Sequence, residues 1–173
     1  MKLFKLLSLL CITVFTQCVQ AGPKIDHWLT PSGARVYFVE NHSLPILDVQ
    51  VDFAAGASYE PEGKAGLAGL TRSLLDLGVD GLDETQISSR LADLGAVLSG
   101  ATDLDRASVN LRTLSSEDKR LPALDILRAV LQSPQFPAAV IDREKARLVA
   151  GLKEALTRPE SIASKAFWAG LYP

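Results

Sequence analysis

The stretch "LADLGAVLSGATDLDRASVNL", Leu91–Leu111, combines the signals of a helix end, two strands and a turn. Its leucines continue a helical spacing up to Gly95, and glycine is the residue that most often follows the end of a helix. We interpret "AVLSGAT" and "RASVNLRTL" (Arg106–Leu114) as strands on either side of a turn at Asp103–Asp105. This stretch therefore predicts a helix followed by two connected strands.

Two further strands are predicted nearer the N-terminus. "ARVYFVE" (Ala34–Glu40) and "ILDVQVDFAAG" (Ile46–Gly56) are rich in β-branched and aromatic residues, and the second alternates apolar with polar side chains. That alternation is typical of a strand with one buried face. "HSLP" between the two segments has the composition of a turn. We predict that they pair as an antiparallel hairpin.

The remaining segments show helical patterns. "GKAGLAGLTRSLLDLG" (Gly63–Gly78) has leucines at helical spacing and Gly78 as its predicted cap. A second helix is predicted to start at Asp83, with Gln86 reaching back to it, and to end at Gly95. Three more helices follow: Glu117–Gln132, a segment beginning near Pro137, and "PESIASKAFWAGLYP". The order ββααββααα predicts an α+β fold with helices packed on a mostly antiparallel sheet.

The N-terminus has the pattern of a secretory signal peptide. Lys2 and Lys5 precede an apolar run of about ten residues and the small-residue end "TQCVQAG". We predict cleavage before Gly22, so that residues 1–21 are removed and the protein is exported to the periplasm or the extracellular space. A buried N-terminal helix and lipidation of Cys18 are the alternatives. The other cysteine, Cys11, also lies in this segment, so the predicted mature chain contains no cysteine and forms no disulfide.

The composition of residues 22–173 narrows the classes of partner. This segment has 16 basic against 20 acidic side chains and no basic cluster, which argues against nucleic-acid binding. After removal of the signal, no apolar run approaches the roughly 20 residues that a membrane-spanning helix needs. We therefore predict one domain with neither a nucleic-acid nor a membrane partner.

Four strings in order resemble the inverzincin family, the pitrilysin, insulinase and mitochondrial-processing-peptidase type of zinc peptidase. They are "GASYEPEGKAGLA", "LADLGAVLSGATDLDRASVNL", "PQFPAAVIDREKARLVAGL" and "SIASKAFWAGLYP". The resemblance covers nearly all of residues 22–173 and implies one domain of a clamshell-shaped peptidase, incomplete at its C-terminus. In this family the motif H-x-x-E-H on the first helix binds zinc and supplies the catalytic glutamate, and a later helix supplies a further glutamate ligand.

The catalytic positions that the resemblance implies are degenerate in this chain. The motif falls on Gly69, Arg72 and Ser73, and the later ligand falls on Gly151. Glycine has no ligand atom, serine is a weak zinc ligand, and arginine stays protonated and cannot act as a base. Arg72 and Asp76 are spaced for an i,i+4 ion pair. The resemblance with these losses predicts no catalytic residue and no metal ligand here, and it places zinc on a partner chain or domain.

A contact site is predicted on the strand that follows the second helix. In the resembling enzymes a strand at the sheet edge receives the substrate as an added strand. The matching residues are Leu98, Ser99, Gly100, Ala101 and Thr102. Small residues there would let another backbone approach closely. Our hypothesis is that this edge, or the surface around the arginine of the degenerate motif, contacts peptide or a partner subunit, and the alternative is an interior strand.

Other chemically suggestive residues have plainer interpretations. Glu144 resembles a carboxylate that supports the family's metal ligands, but we expect it to form salt bridges on a helix surface. Asp103 and Asp105 resemble a catalytic pair, but turn chemistry explains them better. His27 and His42 have no histidine four residues away, so we expect both in surface loops.

Three functions remain open. The first is a non-catalytic subunit, or inactive domain, of an exported insulinase-like zinc peptidase, which contributes chamber wall and substrate or partner contacts. Its partner would be a catalytic subunit or a C-terminal continuation of this chain. The second is a stand-alone binding or scaffold protein with the same fold. The third is an active zinc metallopeptidase.

Overall fold

A computed structural model of the protein describes residues 22–172, which divide into one compact unit up to Leu44 and another from Pro45 onward. The predicted signal peptide, residues 1–21, lies outside the described residues. In chain order the elements are β1 (Ile25–Leu29), β2 (Arg35–Val39), β3 (Ile46–Phe53), a 3₁₀ turn (Ala57–Tyr59), α1 (Leu67–Leu74), β4 (Gly78–Val79), β5 (Leu82–Asp83), α2 (Glu84–Leu94), β6 (Val97–Ser99), β7 (Ala107–Leu114), α3 (Glu117–Gln132), α4 (Ala138–Ala155) and α5 (Pro159–Leu171).

The first unit is an antiparallel hairpin of β1 and β2. Its connection is closed by Thr30, whose carbonyl accepts the amide of Gly33 and whose hydroxyl accepts the amide of Ala34 at 3.0 Å. Gly33 has φ 87°, a conformation that glycine adopts without the steric cost paid by other residues. This tight local turn determines which strand β2 pairs with.

The predicted hairpin between Ala34–Glu40 and Ile46–Gly56 is wrong. The strand in the first segment pairs with β1, whereas β3 pairs along its whole length with β7. Ile46 lies opposite Leu114 at one end of this second pair. The physical reason is that β2 pairs with β1, its neighbour in the chain. The alternation of apolar and polar residues in β3 matches that of β7, which is distant in sequence.

The second unit contains a three-stranded antiparallel sheet in the order β3-β7-β6. Val109 and Leu111 of β7 point to the inner face and are each 1% exposed. On the opposite face, Arg112 donates to both carboxylate oxygens of Asp48, at 2.6 and 2.9 Å. One face of the sheet is therefore apolar and the other polar, as strands with one buried face require.

The hydrophobic core lies between this sheet and helices α2 and α3. Burial of a leucine or isoleucine side chain contributes about 1.5–3 kcal/mol, so these contacts dominate the stability of the unit. The predicted α+β fold, with helices packed on an antiparallel sheet, is confirmed. The buried apolar residues of the core are Val79, Ile87, Leu91, Ala96, Val109, Leu111, Ala123, Ile126, Leu127 and Val130.

Helix α2 begins and ends as its sequence predicts. The Asp83 side chain accepts the amide of Gln86 at 2.8 Å, and the Gln86 side chain accepts the amide of Asp83 at 3.0 Å. Gly95 follows the helix with φ 63°, in the left-handed region. Helix α1 is shorter than predicted, because it ends at Leu74 and Gly78 belongs to the short strand β4.

The C-terminal helices expose much of their apolar surface. On α4, Leu152 is 67% exposed, and on α5, Phe167 and Trp168 are 62% and 53% exposed. Helix α3 spans Glu117–Gln132 as predicted and accommodates Pro122 in its second turn. No helix within residues 22–172 is both long enough and apolar enough to cross a membrane.

Candidate functional site

The helix that carries the degenerate motif is anchored at its N-terminus by a carboxylate. Glu60, in the preceding loop, accepts the amide of Gly66 at 2.9 Å and the amide of Ala68 at 2.7 Å. These two bonds satisfy amide groups at the start of the helix, which have no partner within it. Helix α1 then packs against β7 and α4, so the motif lies between the sheet and the helix that carries Gly151.

Two of the four predicted degenerate positions offer no ligand atom, and a third offers only a serine hydroxyl. Gly69 and Gly151 have no side chain, and nothing lies within 4 Å of where a Cβ would stand at either position. The hydroxyl of Ser73 donates to the carbonyl of Leu70 at 2.8 Å. This bond to the preceding turn of the same helix orients the hydroxyl, which is a weak zinc ligand.

The fourth position, Arg72, is buried. Its side chain is 9% exposed, its Nε donates to the carbonyl oxygen of Ser108 at 2.7 Å, and its Nη1 lies 3.4 Å from a carboxylate oxygen of Asp76. The predicted i,i+4 ion pair is therefore present. The guanidinium itself is covered by the protein, whereas the side chain of its neighbour Asp76 is 30% exposed, so the hypothesis that the surface around Arg72 contacts a partner stays a prediction.

These side chains do not fit a zinc ion. Two glycines supply no donor, a neutral serine hydroxyl is a weak zinc ligand, and the remaining side chain is a cation that would repel the metal. Across residues 22–172, no three histidine, cysteine, aspartate or glutamate side chains come together in a way that could hold a metal ion.

The predicted contact residues lie at an edge. Among the described strands, β6 is the last in its sheet, with β7 on one side only. Ser99 lies opposite Asn110, and the amide of Ser108 donates to the carbonyl of Ala101 at 2.8 Å. In an antiparallel pair, hydrogen-bonded residues alternate with residues whose backbone groups point away. The backbone groups of Leu98 and Gly100 therefore point to the open side of the sheet.

Gly100 has a different role from the predicted one. A Cβ at this position would lie 2.1 Å from Nε of Arg72 and 2.1 Å from the carbonyl oxygen of Ser108. The absence of a side chain thus makes room for the guanidinium of the same protein, and the smallness of the residue is no evidence for a foreign backbone.

The second buried charged group is Glu144, on α4, the helix that packs against α1. It is 7% exposed and accepts hydrogen bonds from Nε of Arg147 at 2.7 Å and Nε of Arg143 at 3.1 Å. Arg143 also donates to Glu84 of α2 at 2.7 Å. The bond from Arg147, followed by that from Arg143, lowers the pKa of Glu144, and the bond to Glu84, followed by that to Glu144, raises the pKa of Arg143. The expected salt bridges are present, but Glu144 is buried rather than on the surface.

The turn prediction for the aspartates is confirmed. The Asp103 carboxylate accepts the amides of Asp105 and Arg106 at 2.8 and 2.7 Å. These backbone bonds, with that of Arg106 the stronger, lower the pKa of Asp103. The histidines differ in part from expectation, because exposed His27 lies within β1 beside Tyr37, whereas His42 lies in a loop and pairs with Glu40.

The fold and the motif positions together define the class: an α+β domain of the zinc-peptidase type with a degenerate metal position. The chain belongs to the insulinase family, Peptidase family M16, whose pattern matches residues 35–172.

The solved structures that resemble this fold include an inactive domain and a protease. The chain is 38% identical to the inactive domain of a peptidase M16 from Pseudomonas fluorescens, with a TM-score of 0.78 over 82% of this chain and 34% of that one. A protease from Helicobacter pylori superimposes with a TM-score of 0.60 at 19% identity, over 67% of this chain and 27% of that one, which shows the fold alone.

Curated relatives include one processing peptidase subunit and one protein described as lacking peptidase function. The probable mitochondrial-processing peptidase subunit beta of Arabidopsis thaliana is 26% identical over 136 residues, which are 79% of this chain and 25% of that protein. The non-peptidase homolog YmxG of Helicobacter pylori is 25% identical over 148 residues, which are 86% of this chain and 34% of that protein. The chain thus spans a quarter to a third of the length of these relatives.

Proposed function

We propose that this chain is a non-catalytic subunit, or inactive domain, of an exported insulinase-like zinc peptidase. The observation that carries the proposal is the buried guanidinium of Arg72, which lies where the resembling enzymes have their catalytic glutamate. A permanently protonated group cannot activate a metal-bound water. The zinc and the base would belong to a partner chain or to another domain of the same protein.

The named relatives support a role without catalysis. One structural relative is an inactive domain and one curated relative is a non-peptidase homolog, while a third is a subunit of a processing peptidase. Together they support the idea that a domain of this family can be retained without catalytic activity because its surfaces bind other molecules. In this chain those surfaces would form part of a chamber wall and contact a peptide or the catalytic partner.

The edge strand β6 is the proposed contact. Leu98 and Gly100 direct unpaired backbone groups outward, and Val97 beside them is 59% exposed. An added strand would gain hydrogen bonds from the backbone, an interaction that tolerates many side chains. Such tolerance suits a peptidase that acts on unfolded peptides. Export would follow from the signal peptide predicted in residues 1–21.

A reconstitution experiment tests the subunit role. The full-length chain, the product of a neighbouring gene that carries an intact H-x-x-E-H motif, and their mixture are each incubated with an unfolded fluorogenic peptide. We expect the mixture to cleave the peptide, chelation of zinc to abolish cleavage, and neither protein alone to cleave it. Full activity of the neighbour alone would favour the stand-alone scaffold function.

A second measurement separates a non-catalytic from a catalytic domain. The variants Ser73→Ala and Arg72→Met are assembled with the partner, and zinc is measured by elemental analysis after dialysis. We expect the zinc content of the assembly to match that of the unmodified protein, because neither side chain is a ligand. Loss of one zinc per chain in Ser73→Ala would show that this helix binds metal and would overturn the proposal.

A further inference from the structure

The pairing between β6 and β7 is interrupted at a single position. The same register holds on both sides of it, because Ser99 lies opposite Asn110 and the amide of Asp103 donates to the carbonyl of Arg106 at 2.9 Å. Between these points, the amide of Ser108 donates to the carbonyl of Ala101, as a regular pair requires. The register of the two strands is therefore unchanged, and only one hydrogen bond of the ladder is missing.

That missing bond is the one from the amide of Ala101 to the carbonyl of Ser108. Residues of a hydrogen-bonded antiparallel pair normally exchange both bonds. Here the Ser108 carbonyl accepts Nε of Arg72 at 2.7 Å, and the Ala101 amide donates instead to the Ser108 hydroxyl at 3.1 Å. The Ser108 carbonyl thus bonds to the guanidinium and not to the Ala101 amide, and the regular part of β6 ends at Ser99.

Gly100 makes this exchange of hydrogen-bond partners possible. A Cβ there would overlap with Arg72, as described above, and the backbone of Gly100 is not in the left-handed region. Glycine is thus needed for space and not for its backbone angles. A charge-assisted hydrogen bond is stronger than one between neutral groups, which explains why the guanidinium holds the carbonyl in competition with the amide. Asp76 partly neutralises the buried cation.

We propose that Arg72 is a positioning residue that limits how much of the β6 edge can accept an added strand. By holding the Ser108 carbonyl, it replaces the bond from the Ala101 amide to that carbonyl and interrupts the regular ladder after Ser99, before the ladder resumes at the bridge between Thr102 and Ala107. This inference rests on the proposed contact at the edge. It predicts that removal of the guanidinium extends the edge and strengthens strand addition.

The structural part is tested by amide hydrogen exchange of the full-length protein followed by NMR. In Arg72→Met, the Ala101 amide can exchange the Ser108 hydroxyl for the Ser108 carbonyl, so its protection should rise, but by less than the roughly three- to tenfold effect of a wholly new hydrogen bond. Arg72→Lys keeps a charge near Asp76 but has no donor at the position of Nε, so it should show the same rise. Ser73→Ala, on the same helix, is the matched control and should leave the Ala101 amide unchanged.

The functional part is tested by fluorescence anisotropy with an unstructured fluorescein-labelled peptide rich in threonine and serine. Arg72→Met and Arg72→Lys should bind it about three- to tenfold more tightly than the unmodified protein, since one more pair of residues can add to the edge. The same peptide with alternate backbone amides methylated should not bind, because it lacks the donors of a ladder.

The outcomes separate this inference from the proposed function. Unchanged protection of the Ala101 amide in both arginine variants overturns the inference. Increased protection with unchanged or weaker peptide binding overturns its functional part. If no protein binds the peptide although the protection of Ala101 rises, the edge contact of the proposed function fails while the positioning of the strand by Arg72 stands.

A double substitution gives an independent check. Gly100→Ala should lower the urea midpoint of the unmodified protein, because the new methyl group meets both Nε of Arg72 and the carbonyl oxygen of Ser108. In the Arg72→Met background the clash with the guanidinium is absent and only that with the carbonyl oxygen remains, so the same change should lower the midpoint by less. Equal losses in the two backgrounds would show that Gly100 is not coupled to Arg72.

Discussion

Two charged side chains, Arg72 of α1 and Glu144 of α4, are buried, and the protein satisfies them in different ways. Arg72 is held by a backbone carbonyl and one carboxylate, whose nearest oxygen lies 3.4 Å away. Glu144 is held by two arginine side chains, both of which remain at least half exposed to solvent. The first arrangement is built into the fold, whereas the second consists of side chains that can rearrange.

This difference predicts how strongly a substitution at each site lowers the stability of the protein. A buried charge that loses its only partners pays the full cost of desolvation, whereas exposed partners of a removed charge return to water. The Arg72 position should therefore be the more sensitive of the two, and it also shapes the strand that we propose as a contact. Four changes, ordered from the largest expected effect to the smallest, test this comparison.

The largest effect is expected for Arg72→Glu. The new carboxylate would be buried close to the Ser108 carbonyl and the Asp76 carboxylate, with no donor in reach, and we expect a loss of about 3–5 kcal/mol in the free energy of unfolding. Urea denaturation followed by circular dichroism measures it. Arg72→Met, which removes the charge without reversing it, serves as the control and should lose distinctly less. Similar losses for the two variants would contradict the importance of charge at this site.

A smaller loss is expected for Glu144→Ala. Removal of this carboxylate leaves Arg143 and Arg147 without their common partner, but both side chains reach solvent. The urea midpoint should fall by less than in Arg72→Glu, and Glu144→Gln should lie between Glu144→Ala and the unmodified protein. A midpoint as low as that of Arg72→Glu would mean that the carboxylate is as deeply integrated as the guanidinium.

The pH dependence of stability provides the third test. Hydrogen bonds from Arg147 and Arg143 lower the pKa of Glu144 below its ordinary value of 4.5. The stabilising contribution of this carboxylate is therefore complete above pH 4.5 and is lost as the pH falls through the lowered pKa. As the pH falls below 4.5, the stability of Glu144→Gln should decline less steeply than that of the unmodified protein. Equal declines in the stability of the two proteins would exclude Glu144 as a source of the pH dependence.

The smallest effect is expected for Glu84→Gln. Glu84 bonds to Arg143 across two helices, but both side chains are more than 40% exposed, and exposed ion pairs contribute little. The urea midpoint should remain within experimental error of the unmodified protein, and added salt should not enlarge the difference. A clearly lower urea midpoint would show that the exposed pair of Glu84 and Arg143 is coupled to the buried Glu144.

Local chemistry explains why some of this structure could be predicted from the sequence. The box formed by Asp83 and Gln86 and the left-handed Gly95 depend on contacts between neighbours in the chain, so both ends of α2 were predictable. The same holds for the turn at Asp103, whose carboxylate bonds to amides two and three residues away. The loss of ligand atoms at Gly69 and Gly151 also follows from residue type alone, once the family resemblance locates the positions.

Tertiary structure alone decided which strands pair and what the degenerate site contains. β3 pairs with β7 across more than fifty intervening residues, and no local signal distinguishes that partner from β2. The acceptor for Arg72 is the backbone carbonyl of Ser108, 36 residues away, and a carbonyl carries no signature in the sequence because every residue has one. Gly100 was recognised as small, but only the packed guanidinium shows what its missing side chain makes room for.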